Sequence, residues 1–270
     1  MPAGARGESM RDMEYAFTVL ASGSKGNASL LRGPEGCLLI DAGLNGKQLE
    51  ARLAVLGLDW NSIDAVVLTH EHGDHCAGVP ALVRNGRCAF LANRGTWEAL
   101  GIDAGGRWQE WATGSAARWA GFSMDSFPVP HDAAEPVGVR IEAGGRTLAV
   151  VTDLGFTPQA VVQRVRGCGL LVLEANYDAE LLRLDTKRPW PVKQRIANRH
   201  GHLSNEAAAE LLGQVATEAL GDVFLAHLSE DCNRAELAEA AVRGRLEVMG
   251  LGGVRIHRTS FAEVSATVRW

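Results

Sequence analysis

Thr69-His70-Glu71-His72-Gly73-Asp74-His75 decides the reading of this chain. Three imidazoles and a carboxylate stand within six positions, directly after Ile63–Thr69, whose apolar content predicts a buried strand. Neutral imidazole and carboxylate are ligands for zinc, and also for iron or manganese. A loop leaving a strand can send His70 and His72 to one side and Asp74 and His75 to the other. That divergence predicts two metal ions. Glu71 is too close to its neighbours to join them, and a capping or ion-pair role is expected. Cys76 is read as a small buried hydrophobe.

Further ligands are expected at distant strand ends. His131 follows Phe127–Pro130, Asp153 follows Leu148–Thr152 and His227 follows Val223–Ala226. Each is the polar residue that closes an apolar run, where open α/β sheets carry their sites. Around these points, Tyr15–Ala21 and Ser29–Arg32 flank the turn Ser22–Asn27 as a hairpin, and Cys37–Asp41 reads as a buried strand ending in an acid. Val137–Ala143 and Arg146–Thr152 pair across Gly144-Gly145. Helices are expected at Lys47–Gly57, Gly78–Arg84, Thr96–Leu100, Asn205–Leu212 and Arg234–Arg243, and Gly253–His257 as the last strand. Residues 1–12 lack periodicity and read as a flexible leader, with Met10 and Met13 as alternative starts. One α/β domain of two sheets covered by helices, a four-layer arrangement, is expected over residues 13–270.

Composition narrows the class. The 270 residues are 46% hydrophobic and 22% charged, with no run near the roughly 20 apolar residues of a membrane span. No signal peptide is evident. Five cysteines, an odd number without a C-x-x-C pair, argue against a disulfide framework and favour a reducing, cytoplasmic setting. The net charge of −5 gives no global attraction to polyanions. Its distribution differs: residues 183–199 hold Arg183, Lys187, Arg188, Lys193, Arg195 and Arg199 against Asp185 alone, or +5, leaving −10 elsewhere.

The set Leu39-Ile40-Asp41-Ala42-Gly43, Thr69–His75, Pro130-His131-Asp132, Thr152-Asp153-Leu154-Gly155 and Ala226-His227-Leu228-Ser229 resembles the metallo-β-lactamase fold superfamily. The resemblance implies the αββα sandwich with mixed sheets. It also implies His70, His72, His131 and Asp153 on a first metal, and Asp74, His75 and His227 on a second, with Asp153 bridging. Asp41 would orient ligands rather than touch metal. Leu20–Asn27, Arg199–Asn205 and His227–Asn233 are similar to the YycJ/WalJ branch, and the last two also to ribonuclease Z. That branch implies hydrolysis of phosphodiesters, with 5′-to-3′ DNA exonuclease character. Asp231-Cys232 stands where most of the branch has asparagine.

Two divalent ions, zinc first and manganese or iron as alternatives, would share a hydroxide as nucleophile. Asp74 and His202 are expected to be catalytic, His202 from the open side as acid or oxyanion partner. His200 and His257 are read as structural or surface residues. DNA is the expected substrate, with no membrane partner, and a homodimer stays open. Lys187, Arg188, Lys193 and Trp190, the last on a stiff loop between Pro189 and Pro191, would bind it. Lys25 and Asn27 would meet a terminal phosphate. The competing class is a hydrolase of a small thioester, lactone or β-lactam, which predicts an apolar groove and no role for the basic run. A metal-binding regulator without catalysis is a further class, opposed by the complete ligand set.

Overall fold

The central strands, such as Leu170–Glu174 and Ala65–Val67, are buried along their whole length because each lies between two apolar layers. The computed structural model describes residues 14–270, so the expected leader and its alternative starts lie outside the described residues. One sheet holds β1 (Ala16–Ala21), β2 (Ala28–Gly33), β3 (Gly36–Ile40), β4 (Ala65–Val67), β5 (Ala89–Ala92) and β6 (Trp108–Glu110) in chain order. The other holds β7 (Ala116–Trp119), β8 (Phe122–Pro128), β9 (Val137–Ala143), β10 (Arg146–Val151), β11 (Leu170–Glu174), β12 (Asp222–Ala226) and β13 (Arg255–Arg258). Side chains alternate across a strand. Leu38 and Ile40 of β3 therefore enter the layer between the sheets, where Phe17, Val150, Val172 and Phe224 meet them. Cys37 and Leu39 point the other way, towards Leu49, Leu53 and Leu82.

Helices close the outer faces. On the first sheet lie α1 (Gly46–Val55), α2 (Gly73–Cys76), α3 (Val79–Asn85) and α4 (Arg94–Leu100). Against the second pack α5 (Gln159–Val165), α8 (Asn205–Val215) and α9 (Ala235–Val248), with α6 (Ala179–Leu184) and α7 (Trp190–Ile196) between β11 and α8. The result is the αββα sandwich. Strands β3 to β6 run parallel, as do β10 to β13, so their carboxyl ends gather at one edge of the two sheets.

Three expectations need correction. Gly253–His257 is not the last strand: β14 (Val268–Arg269) returns to pair with β1, and Trp270 stacks on Tyr15 at 6.0 Å. Residues 189–191 are not a stiff loop but the start of α7, with Pro189 at the N-cap and Pro191 in the first turn. Proline there forfeits no hydrogen bond and presets the backbone. Residues 70–75 are not loop throughout, since α2 begins at Gly73 and turns Asp74 and His75 back into the molecule.

At the opposite end of β12, the buried Asp222 carboxylate joins three elements. It accepts from Arg146 at 2.6 Å, from Arg255 at 2.8 and 2.7 Å, and faces His257 Nε2 at 2.7 Å. Burial disfavours its charge, yet the bonds from His257, Arg255 and Arg146 win and hold the carboxyl far below the usual range. A depressed carboxylate stabilises the fold above its unfolded pKa and loses that contribution as pH falls towards the folded one. Asp222→Asn is expected to destabilise the protein by about 3 kcal/mol at pH 7. In urea melts, the gap to wild type should hold down to about pH 5 and shrink below about pH 4.

Candidate metal centre

Strand ends deliver the chemistry. Among the described residues, four non-glycine residues have positive φ, and three of them are Asp41 (58°), Asp153 (59°) and His227 (56°). Each follows the end of an apolar strand, β3, β10 or β12. Left-handed backbone is strained for such residues and persists where the surroundings hold it. Here it turns each side chain inward over the sheet edge, and all three are buried.

Glycines let the loops close. A Cβ on Gly43 would lie 1.7 Å from the carbonyl oxygen of Asp74, so the Asp41–Gly43 turn touches the backbone of α2. Ala42 N–H donates to the carbonyl of His75, and Asn27 N–H to that of Asp74, each at 2.7 Å. A Cβ on Gly201 would lie 2.1 Å from the carbonyl oxygen of Ile196. That contact seats the segment carrying His202 on the end of α7.

Four overlapping donor groups result, one of them joining Asp153, Glu174, His202 and His227. Ring nitrogens of His70, His72 and His131 lie within 4.8 Å of one another, as do donor atoms of Asp74, His75 and His227. Asp153 stands between them: its Oδ2 is 3.1 Å from His75 Nε2, and its Oδ1 is 3.4 Å from His227 Nε2 and 3.8 Å from His131 Nε2. The nitrogens that point inward are selected from behind. His131 Nδ1 donates to the carbonyl of Gly201 at 3.1 Å, leaving Nε2 towards His72 Nδ1, 3.3 Å away. Asp41 Oδ2 takes His75 Nδ1 at 2.8 Å, and its Oδ1 takes Thr69 N–H at 2.8 Å. Asp41 thus faces the back of the cluster.

The donor set fits divalent cations. His70 Nε2 and Asp153 Oδ2 are buried yet lack any hydrogen-bond partner. His75 Nε2 and Asp153 Oδ2 are near each other without being aligned as donor and acceptor, as expected of two groups aimed at a common point. Charge argues the same way. Burial disfavours charge on His75 and His227, but Asp153 and its neighbours override it, lifting His227 to about 10 and His75 well above the usual imidazole value. Asp153 is driven well below its usual range against its burial, through His227 and His75. His70 and His131 go the other way, kept neutral chiefly by burial. Carboxylates in this buried floor call for positive charge, and neutral imidazoles stand ready to ligate.

A further buried carboxylate beside the cluster is absent from the sequence reading. Glu174, the last residue of β11, is fully buried and its Oε1 accepts from His202 Nδ1 at 2.8 Å. The same oxygen is 3.3 Å from His227 Nδ1, and Oε2 accepts from the N–H groups of Leu154 and Leu203 at 3.1 Å. Leu170–Glu174 carried the signal that marked Cys37–Asp41, an apolar strand ending in an acid. His202, with Nδ1 committed to Glu174, lines the pocket above the cluster.

That pocket, about 260 Å³, is lined by His72, Asp74, His131, Asp153, His202 and His227, with Ser24, Asp132, Val192, Arg195, Ile196 and Gly201 at its walls. The expected substrate residues are not among them. Lys187 is paired with Asp231, and Arg188 with Asp185 and Asp231 at 3.1 and 3.0 Å. Lys25 bonds Glu230 at 2.6 Å, while its neighbour Ser24 reaches the pocket. Asn27 is buried, its Oδ1 accepting from Ser22 Oγ and Gly23 N–H at 3.0 Å and its Nδ2 3.1 Å from His75 Nε2, so it shapes its loop and adjoins the donor cluster. Trp190 and Lys193 face a separate groove. The basic run is answered in space by Asp231, Asp132 and Glu180, acids remote from it in sequence or just outside it. Of its cations only Arg195 lines the pocket, bonded to Asp132 at 2.6 Å. Glu71 accepts from Ala134 N–H at 2.9 Å, Cys76 lies buried with Sγ 3.1 Å from the His70 carbonyl, and His257 belongs to the Asp222 cluster. His200 is exposed.

Comparison with known proteins agrees with this geometry. Residues 37–227 match the family described as the β-lactamase superfamily domain. The chain is 37% identical over 244 residues to exodeoxyribonuclease YycJ of Bacillus anthracis, covering 89% of this chain and 92% of that protein. It is 33% identical over 249 residues to exodeoxyribonuclease WalJ of Streptococcus pneumoniae, covering 90% and 92%. In fold it resembles the metallo-β-lactamase fold protein YhfI of Bacillus subtilis, with a TM-score of 0.73 at 14% identity over 96% of this chain and 100% of that one.

The Asp41 contacts generate a test. Asp41→Ala is expected to leave the donor atoms in place but unoriented, lowering divalent-metal affinity by about 10- to 100-fold in competition with a chromogenic chelator.

Proposed function

The chain belongs to the β-lactamase superfamily and its YycJ/WalJ branch, a group of metal-dependent hydrolases, and from that premise we propose that it is a dinuclear phosphodiesterase cutting nucleic acid, DNA first. One observation carries the reading: two donor groups meet at Asp153 on the floor of a single pocket. His70, His72 and His131 would hold one ion, Asp74, His75 and His227 the other, and Asp153 would touch both. Zinc suits these donors best, and manganese or iron would also be accepted. Bound there, such ions supply a water of lowered pKa and a positive clamp for phosphoryl oxygens.

The chain's own residues do the rest. His202 Nδ1 is held by Glu174, which fixes the ring and leaves Nε2 free for the pocket. From there it gives a proton to the departing oxygen or bonds a non-bridging one. Glu174 is a positioning residue, itself anchored by two backbone N–H groups. Arg195, steadied by Asp132, replaces Lys187 and Arg188 as the cation that meets the substrate phosphate at the rim. Val192 and Ile196 are the two large apolar side chains of the lining, which supports a phosphate-bearing substrate over a thioester, lactone or β-lactam. Five free, buried cysteines suit a reducing cytoplasm.

Zinc- or manganese-supplemented protein should degrade 5′-phosphorylated single-stranded or duplex DNA and leave a nitrocefin-type lactam and an acyl thioester untouched. Turnover of the lactam or thioester with intact DNA would reverse the assignment. His202→Ala should retain its metal by elemental analysis while kcat falls about 10²- to 10⁴-fold. Metal loss in that variant would make His202 a ligand instead.

A further inference from the structure

Helix α7 walls two cavities. Its residues Val192, Arg195 and Ile196 face the metal pocket. Trp190, Lys193 and Gln194 face a second cavity of about 280 Å³, completed by Tyr177, Leu182 and Arg183 from the segment around α6. The spacing is helical, so the two sets occupy adjoining faces of one rod, and the cavities are separated by about 10 Å, one helix width. A mononucleotide held in the pocket cannot reach across. A strand of a few nucleotides can, at about 3.4 Å or more per residue.

The second cavity has the chemistry of a nucleotide's two halves. Its floor is the buried Leu182 and the ring of Tyr177, and its wall is Trp190, 65% exposed although other large rings are packed, Trp97 on Trp108 at 5.6 Å and Trp270 on Tyr15. Its lining carries two cations, Arg183 and Lys193, and no carboxylate, although Arg183 reaches Glu180 just outside it at 3.4 Å. Lys193 Nζ donates to the carbonyl of Arg183 at 2.9 Å, which holds the ammonium at the rim without neutralising it. This contrasts with Lys187 and Arg188, both paired with Asp231. An apolar ring face beside an ammonium with no carboxylate partner suits a base and its phosphate, since indole stacks any base and Lys meets the backbone. A second copy of this chain, acidic overall outside residues 183–199, would bring no such ring and phosphate pair.

The geometry points to a nucleobase subsite on Trp190, one helix away from the metal pocket, with Lys193 and Arg183 on the adjoining phosphate. The inference rests on the reading of the chain as a nucleic-acid hydrolase and adds where the strand runs beyond the cut nucleotide. It predicts that affinity grows with strand length until the groove is filled.

The test uses metal-loaded full-length protein and a fluorescein-labelled phosphorothioate dT10, with binding followed by anisotropy. Trp190→Ala should weaken binding about tenfold and Trp190→Phe far less, since a phenyl ring still stacks. A decamer with abasic sites throughout should bind wild type and Trp190→Ala alike. Lys193→Ala should flatten the dependence of binding on salt. Equal dT10 affinity for wild type and Trp190→Ala would overturn the subsite, as would light scattering that shows Trp190→Ala only splitting a dimer. If the wild type cleaves DNA while Trp190→Ala binds normally, the subsite alone falls. If the wild type cleaves no DNA, the hydrolase reading falls, whatever Trp190 does in binding.

Discussion

Asp153 is the carboxylate on which the rest of the arrangement depends. It is buried, forced into left-handed backbone at the end of β10, and flanked by imidazoles from both donor groups. An unpaired charge so placed is expensive to bury. Asp41 and Glu174 add two more buried carboxylates behind the same cluster. The fold accepts these anions because the site gathers positive charge between them, as protons on His75 and His227 or as divalent ions. Everything that brings strand ends together, from the inter-sheet apolar layer to the Gly43 contact with α2, is therefore also what assembles the charge.

Much of this was legible in the chain. The H-x-H-x-D-H run and the strand-closing His131, Asp153 and His227 converge on one floor because each follows a strand whose direction is set by its apolar alternation. Local patterning reports such features directly. Glu174 carried the same signal as Asp41 but was passed over, because an acid at a strand end is ordinary until its partners are known.

What was illegible depends on pairing in space. The +5 run looked free in sequence, yet Asp231 and Asp132 approach from loops 44 and 63 positions away to meet Lys187 and Arg195. Helix α7 was hidden by its prolines, which read as a stiff loop and act as helix starters. Strand β14 is two residues long and has no period to detect. The first two moved the expected substrate contacts, while β14 only closes the edge of the first sheet beside β1. The difference has a physical reason: buried donors at strand ends are placed by the strands themselves, whereas surface charges are neutralised by whatever the topology brings near.

The central claim is that Asp153 joins two metal positions in one chain. Elemental analysis of zinc bound at saturation, wild type beside Asp153→Ala in a folded state verified by circular dichroism, tests it most directly. The account predicts two ions per wild-type chain and tight binding lost at both positions in the variant. One ion per wild-type chain, or an Asp153→Ala protein that keeps two, would contradict it.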